Sequence, residues 1–228
     1  LLRRERSDKE TAMSAPVVPE GSIRVAVFAD FVCPYSYLAC EQIDRLSREY
    51  DLTVWWRPHW LQPDTPPEGT PRDSTPATAA QRERFVAWMK EMAPEQFPRM
   101  TLPDKRQYSF FAFEALEFAC DRGLEMPFKT AVFTLAWEQG RDIGNLETLI
   151  EAAALSALDP HELALALLSR TYAERALEAV KQAQRIGITN TPTIFLGTTR
   201  INGWHYDEVM ETLLEKQGAR RREAPATH

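Results

Sequence analysis

The sequence predicts an α/β chain in which a βαβ unit and a ββα unit flank a long run of helices. Three observations lead there. Two short, β-branched apolar runs, 23–29 and 52–58, are separated by one segment of helical period, so the two strands should lie parallel. Between about residues 77 and 171 the hydrophobic period is helical, with almost no strand signal. Near the C-terminus a run ending in Ile194-Phe195-Leu196 and a second at 199–201 read as strands joined by a tight turn, and a last helical segment follows them.

The 228 residues are enough for one large or two small domains with a real core. The net charge of −6 argues against a general nucleic-acid binder, and the one dense basic run, Arg220-Arg221-Arg222, reads as a solvated tail. Three cysteines, an odd and small number, do not make a disulfide framework. No stretch of about 20 apolar residues offers a membrane span, and the charged opening segment lacks the apolar centre of a secretory signal. The expected setting is cytoplasmic and reducing, with no nucleic-acid or membrane partner. Met13-Ser14-Ala15 reads as a start of its own, which makes the charged leader an extension; residues 1–21 are expected to be disordered.

Each element has its own signal. Gly21 and Asp30 bound the first strand. Downstream, Ala39, Ile43, Leu46 and Tyr50 recur at i, i+4, i+7 and i+11 on one helix face. Pro34 suits the first helical position, because its missing N–H would have had no partner there. Residues 61–76 hold five prolines among Gly, Ser, Thr and Asp, a composition that resists both helix and central strand. Helices are expected at 77–92, 107–121, 128–139 and 146–158, the last with Asn145 as cap. The next opens at Asp159, where Asp159 as N-cap, Pro160 at the first position and Glu162 as a returning carboxylate make a capping box. A helix at 172–186 ends at Gly187, and the final one runs from about 205 to 216. The expected domains are an α/β domain from 22–75 and 171–217, an inserted helical domain at 76–170, and a flexible tail at 218–228.

Cys33 is the candidate for the chemistry. It falls at or just before a helix N-terminus, where unpaired backbone N–H groups and the positive end of the helix dipole favour thiolate over thiol. A free cysteine titrates near pH 8.5 and such a place pulls that down, so Cys33 is expected to be partly exposed and to titrate below its ordinary value. Taken alone, the cysteine reads equally well as a small buried hydrophobe.

The segment Asp30-Phe31-Val32-Cys33-Pro34-Tyr35-Ser36-Tyr37-Leu38 resembles the active-site segment of the DsbA-like thioredoxin superfamily, and most closely its FrnE-type branch. Those proteins normally carry Cys-Pro-x-Cys, whereas Ser36 holds the fourth position here. A related branch, the 2-hydroxychromene-2-carboxylate isomerases and kappa-class glutathione transferases, has Ser-Pro-Tyr-Ser or similar, so this chain stands between the two. Arg57-Pro58-His59-Trp60-Leu61-Gln62-Pro63 resembles the Arg-Pro-Phe-x-Leu-x-Pro segment of these branches, with His59 for the aromatic residue. Glu138-Gln139-Gly140-Arg141-Asp142-Ile143 is similar to the Glu-x-Gly-x-Asp-Ile that ends their helical insert. Gly187-Ile188-Thr189-Asn190-Thr191-Pro192-Thr193-Ile194-Phe195 resembles the cis-proline loop, and the likeness spans roughly residues 23 to 215. It implies a thioredoxin-like fold with a DsbA-like helical insertion. It also implies a cis Thr191-Pro192 bond lying beside Cys33, and a main chain at Thr191 that pairs with a bound peptide or glutathione.

On that resemblance the catalytic candidates are Cys33 and Ser36, while Pro34, Tyr35, Thr191, Pro192 and His59 form the substrate or glutathione site. His59 either adds positive charge or relays a proton, or simply fills an aromatic slot. Cys40 cannot resolve a mixed disulfide, because seven helical residues put it about 10 Å from Cys33 and bridged cysteines have Cα atoms within about 7 Å. Cys120, next to Phe118 and Ala119, reads as core. The four histidines and three cysteines show no metal-ligand spacing, and no phosphate-binding glycine fingerprint is present. No tightly bound cofactor is therefore expected, only glutathione or another low-molecular-weight thiol. Three functions remain open: a monothiol oxidoreductase, a glutathione-dependent isomerase or transferase in which Cys33 steadies the glutathione thiolate, and a non-catalytic thioredoxin-like binding protein. The expected partner is a thiol- or disulfide-containing protein or small molecule, and a homodimer is left open. A thiol kept where a hydroxyl would suffice favours the first function.

Overall fold

The computed structural model describes residues 16–72 and 75–222, so most of the leader and the last residues of the tail, read as disordered or flexible from the sequence, lie outside the described residues. The chain begins with β1 (Ile23–Ala29), α1 (Pro34–Glu49) and β2 (Leu52–Pro58). There follow β3 (Thr70–Pro71), α2 (Pro76–Met92), a 3-10 turn (Phe97–Arg99) and β4 (Lys105–Arg106). Four helices come next, α3 (Phe110–Cys120), α4 (Glu125–Trp137), α5 (Leu146–Leu155) and α6 (Pro160–Leu168). The chain closes with α7 (Ala173–Arg185), β5 (Thr193–Leu196), β6 (Thr199–Asn202) and α8 (Asp207–Lys216). This is the thioredoxin-like α/β fold with a helical insertion. Two compact units result, one made of the residues up to Leu61 and from Ala173 onward, the other of Gln62–Tyr172. The boundaries expected from the sequence are 75/76 and 170/171; the proline-rich segment after Gln62 falls with the second unit, where β3 pairs with β4.

The first unit is built on a mixed sheet in the order β2-β1-β5-β6. β1 pairs parallel with β2, Ala29 beside Pro58, and antiparallel with β5, Phe28 beside Thr193. An apolar strand flanked on both edges can bury both faces, and Val25, Val27 and Ala29 are buried on one while Ala26 and Phe28 are buried on the other. Ala26 and Phe28 pack with Ala183 and Ile188, and the Phe28 and Phe195 rings meet edge to face at 5.9 Å. The helical period of α1 puts Ala39, Ile43, Leu46 and Tyr50 in the core, each fully buried.

This topology fixes the place of the site. Parallel β1 and β2 leave the sheet at the same end, and antiparallel β5 enters it there. The exit of β1 toward Cys33, the exit of β2 at His59 and the entry to β5 at Thr191-Pro192 therefore share one sheet end. At the far end the basic run keeps exposed side chains, as expected of a solvated tail, but it is tied down. Arg220 O accepts from Asp51 N at 3.0 Å, Arg222 N donates to Glu49 O at 2.7 Å and Arg221 Nε donates to the buried Tyr50 hydroxyl at 2.8 Å.

The second unit is helical apart from the two-residue β3–β4 ribbon, which the helical period did not announce. Asp159 caps α6 as expected, accepting from His161 N and Glu162 N. The Glu162 carboxylate does not return to the cap; it pairs with Arg122 at 2.8 Å. In the Glu-x-Gly-x-Asp-Ile segment Gly140 takes φ +66° as α4 ends, and Asp142 Oδ1 accepts from Gly144 N at 2.9 Å, so these residues shape a turn.

Candidate active site

Cys33 is the N-cap of α1 and Pro34 its first helical residue. Cys33 has extended backbone, φ −94° and ψ 120°, and its carbonyl accepts from Ser36 N at 3.0 Å and Tyr37 N at 3.2 Å. The loop before it hangs on Asp30, which is fully buried. Asp30 Oδ1 accepts from Val32 N at 3.2 Å, Oδ2 from Leu61 N at 2.8 Å, and its carbonyl from Cys33 N at 3.1 Å. One side chain thus ties the exits of β1 and β2 together. From the sequence Asp30 marks the end of the first strand and opens the cysteine motif; that its carboxylate is buried and ties two loops depends on Leu61, 31 residues away.

The Thr191-Pro192 bond is cis, and the Cys33 thiol donates to Thr191 O at 3.4 Å. The loop and the thiol therefore meet as the resemblance implied. Ser36 is fully buried and Thr191 nearly so, and neither hydroxyl oxygen has a hydrogen-bond partner. Pro34 and Tyr35 are half-buried. Burial raises the Tyr35 phenol, and the charge of Cys33 raises it further.

The expectation of a partly exposed, acidic thiol is overturned. Cys33 is only 5 % exposed, and burial pushes its thiol above the ordinary range; the Thr191 and Ser36 side chains and the first-turn backbone act the other way and are outweighed. The first turn of α1 does pull the thiol down, and loss of solvent is the larger effect here. Iodoacetamide alkylation of Cys33 should have a pH midpoint above about 8.5, and a lower value would mean that the first-turn donors win. Because the folded chain keeps this proton longer than the unfolded one, the thiol withdraws stability as pH rises through the ordinary cysteine range.

His59 is buried at the exit of β2, its backbone N–H donating to Ala29 O at 2.9 Å. Burial lowers its pKa and Nδ1 has no partner, so near neutral pH the ring brings no positive charge to the site. Cys40 is buried with its thiol directed to Asp44 Oδ2 at 3.8 Å, Cys120 is half-buried, and none of the three cysteines is in a disulfide.

Residues 24–215 match the DSBA-like thioredoxin domain family. The chain belongs to that family. It is 25% identical over 198 residues to the Bacillus subtilis (strain 168) protein YwbO, which covers 86% of this chain and 98% of YwbO. Among solved structures it is similar to a probable DsbA oxidoreductase from Streptomyces coelicolor, with TM-score 0.74, 20% identity and coverage of 90% of this chain and 93% of that one. It is also similar to a 2-hydroxychromene-2-carboxylate isomerase, with TM-score 0.68, 19% identity and coverage of 86% and 94%. At such identities the solved structures speak for the fold alone.

Proposed function

We propose that the protein is a thiol-disulfide oxidoreductase of the FrnE type that works through Cys33 alone, in a cytoplasmic setting, with a low-molecular-weight thiol such as glutathione as second reactant. The observation that carries this reading is the Cys33 thiol at 3.4 Å from Thr191 O on the cis-proline loop, with a hydroxyl at position 36 where a second thiol would stand. In the first step the Cys33 thiol gives up its proton and the thiolate attacks one sulfur of a disulfide; a Cys33–sulfur bond forms and the other sulfur leaves as thiolate. In the second step a glutathione thiolate attacks the outer sulfur of the mixed disulfide; a disulfide forms between glutathione and that sulfur, and Cys33 leaves as thiolate and takes back a proton. Burial makes the thiolate scarce, yet a thiolate of higher pKa is also the stronger nucleophile, so scarcity and reactivity partly offset. The unpartnered Ser36 and Thr191 hydroxyls are the donors for the negative sulfur when it forms.

Incubation with glutathione disulfide is expected to add one glutathione to Cys33 in the mass spectrum, and Cys33→Ser to take up none. Absence of the adduct from the natural chain overturns the reading. One observation favours a second function: a buried sulfur that holds its proton can donate S–H to the thiolate of a bound glutathione, as an isomerase or transferase would require. In that case Cys33→Ser keeps glutathione-dependent activity on an isomerisable small molecule.

A further inference from the structure

Gln42 lies on α1 beyond the cysteine, is 5 % exposed, and takes no part in the chemistry proposed above. Its Nε2 donates to His205 O at 2.8 Å, in the turn between β6 and α8, and to Asp207 Oδ1 at 2.6 Å, at the start of α8. Both partners are acceptors, so the amide orientation is fixed by its surroundings. Gly203 N, in the same turn, donates to Pro192 O at 2.8 Å. The neighbouring Thr191 O accepts from the Cys33 thiol at 3.4 Å, back at the start of α1. These bonds close a circuit from α1 through the turn and the cis-proline loop to the N-cap of the same helix. The other charged group in contact is Arg45, whose Nη2 meets Asp207 Oδ2 at 3.0 Å and whose Nη1 meets Glu49 at 2.6 Å and Glu211 at 3.3 Å.

We propose that Gln42 is a positioning residue for the Cys33 site, acting through the β6–α8 turn to hold the Thr191-Pro192 loop against the thiol. The inference rests on the reading of Cys33 as the reacting group. Neither the cysteine nor the loop is in hydrogen-bond contact with Gln42; the turn carries the constraint. A bond network that holds its loop to the first turn of α1 keeps the Thr191 hydroxyl where a thiolate can accept from it. A role confined to stability has a different consequence, because loosening α1 would expose the buried thiols and speed the alkylation of Cys33 and Cys40 together.

Gln42→Met fills similar space and donates nothing. In the full chain, glutathione uptake from glutathione disulfide is expected to slow about tenfold, while Cys33 alkylation by iodoacetamide quickens and its midpoint moves down as the loop lifts from the buried thiol, with Cys40 unchanged. Asp207→Ala, at an exposed position, removes one of the two acceptors and is expected to slow glutathione uptake about threefold, so a poorly folding Gln42→Met leaves the test intact. Unchanged glutathione uptake in a folded variant, or faster alkylation at both cysteines, overturns the proposal. If the natural chain takes up no glutathione while Gln42→Met still quickens the alkylation of Cys33 alone, the proposed function fails and the positioning role stands.

Discussion

Ser36→Cys is expected to form an internal disulfide with Cys33 and to give the chain a dithiol exchange activity that the natural sequence lacks. Ser36 stands three residues on in the first turn of α1, its N–H bonded to Cys33 O at 3.0 Å, which is a separation that a disulfide spans. Its hydroxyl is buried and has no partner, so a sulfur placed there breaks no hydrogen bond; the added volume is the only strain. A second thiol held beside the mixed disulfide attacks it as an intramolecular group, and release should become at least about 100-fold faster than with an external thiol at working concentration. A non-reducing mass spectrum lacking a pair of hydrogens reports the bridge, and single-turnover reduction of a disulfide by the pre-reduced variant, its own two thiols supplying the electrons without added glutathione, reports the activity. If Ser36→Cys stays a free dithiol under oxidant, the two positions do not form a redox pair in this fold.

What was legible in the sequence was what short segments decide for themselves. β1 and β2 were bounded by turn residues and composition, Pro34 marked the start of α1, and Asp159 marked α6. The cis-proline loop was legible through its resemblance. What was not legible depended on residues distant in the chain. Burial of Cys33 is a property of everything packed around it, and no periodicity reports that. Glu114, within the aromatic-rich α3, is 1 % exposed; Arg170 from beyond α6 reaches it at 2.7 Å, and burial holds its carboxyl above the usual range. The Arg220-Arg221-Arg222 run is exposed, as its composition suggests, yet its tie to Glu49, Tyr50 and Asp51 was not legible, because those residues lie at the other end of the same unit's sequence. In each case the local pattern was read correctly and the long-range partner decided the outcome.

Asp30→Ala is expected to destabilise the chain by about 2 kcal/mol and to separate two properties of Cys33 that the fold keeps together. The side chain is fully buried and accepts from Val32 N and Leu61 N, so alanine leaves both backbone donors without their protein partner. A melting midpoint lower by about 5 °C is the corresponding thermal signal. The same bonds hold the stretch after His59 to the loop that covers Cys33, so their loss should let water reach the sulfur. Desolvation is the largest influence raising this thiol, and relief of it moves the alkylation midpoint down toward the ordinary value and speeds alkylation. Productive exchange should fall at the same time, because the thiol is no longer held against Thr191. Asp30→Asn keeps one acceptor oxygen but turns an NH2 group toward the other backbone N–H, donor against donor, so it should recover only part of the stability. A variant in which alkylation and glutathione turnover rise together would mean that the buried sulfur is merely hindered, and that the Asp30 clamp restrains a site that works better open.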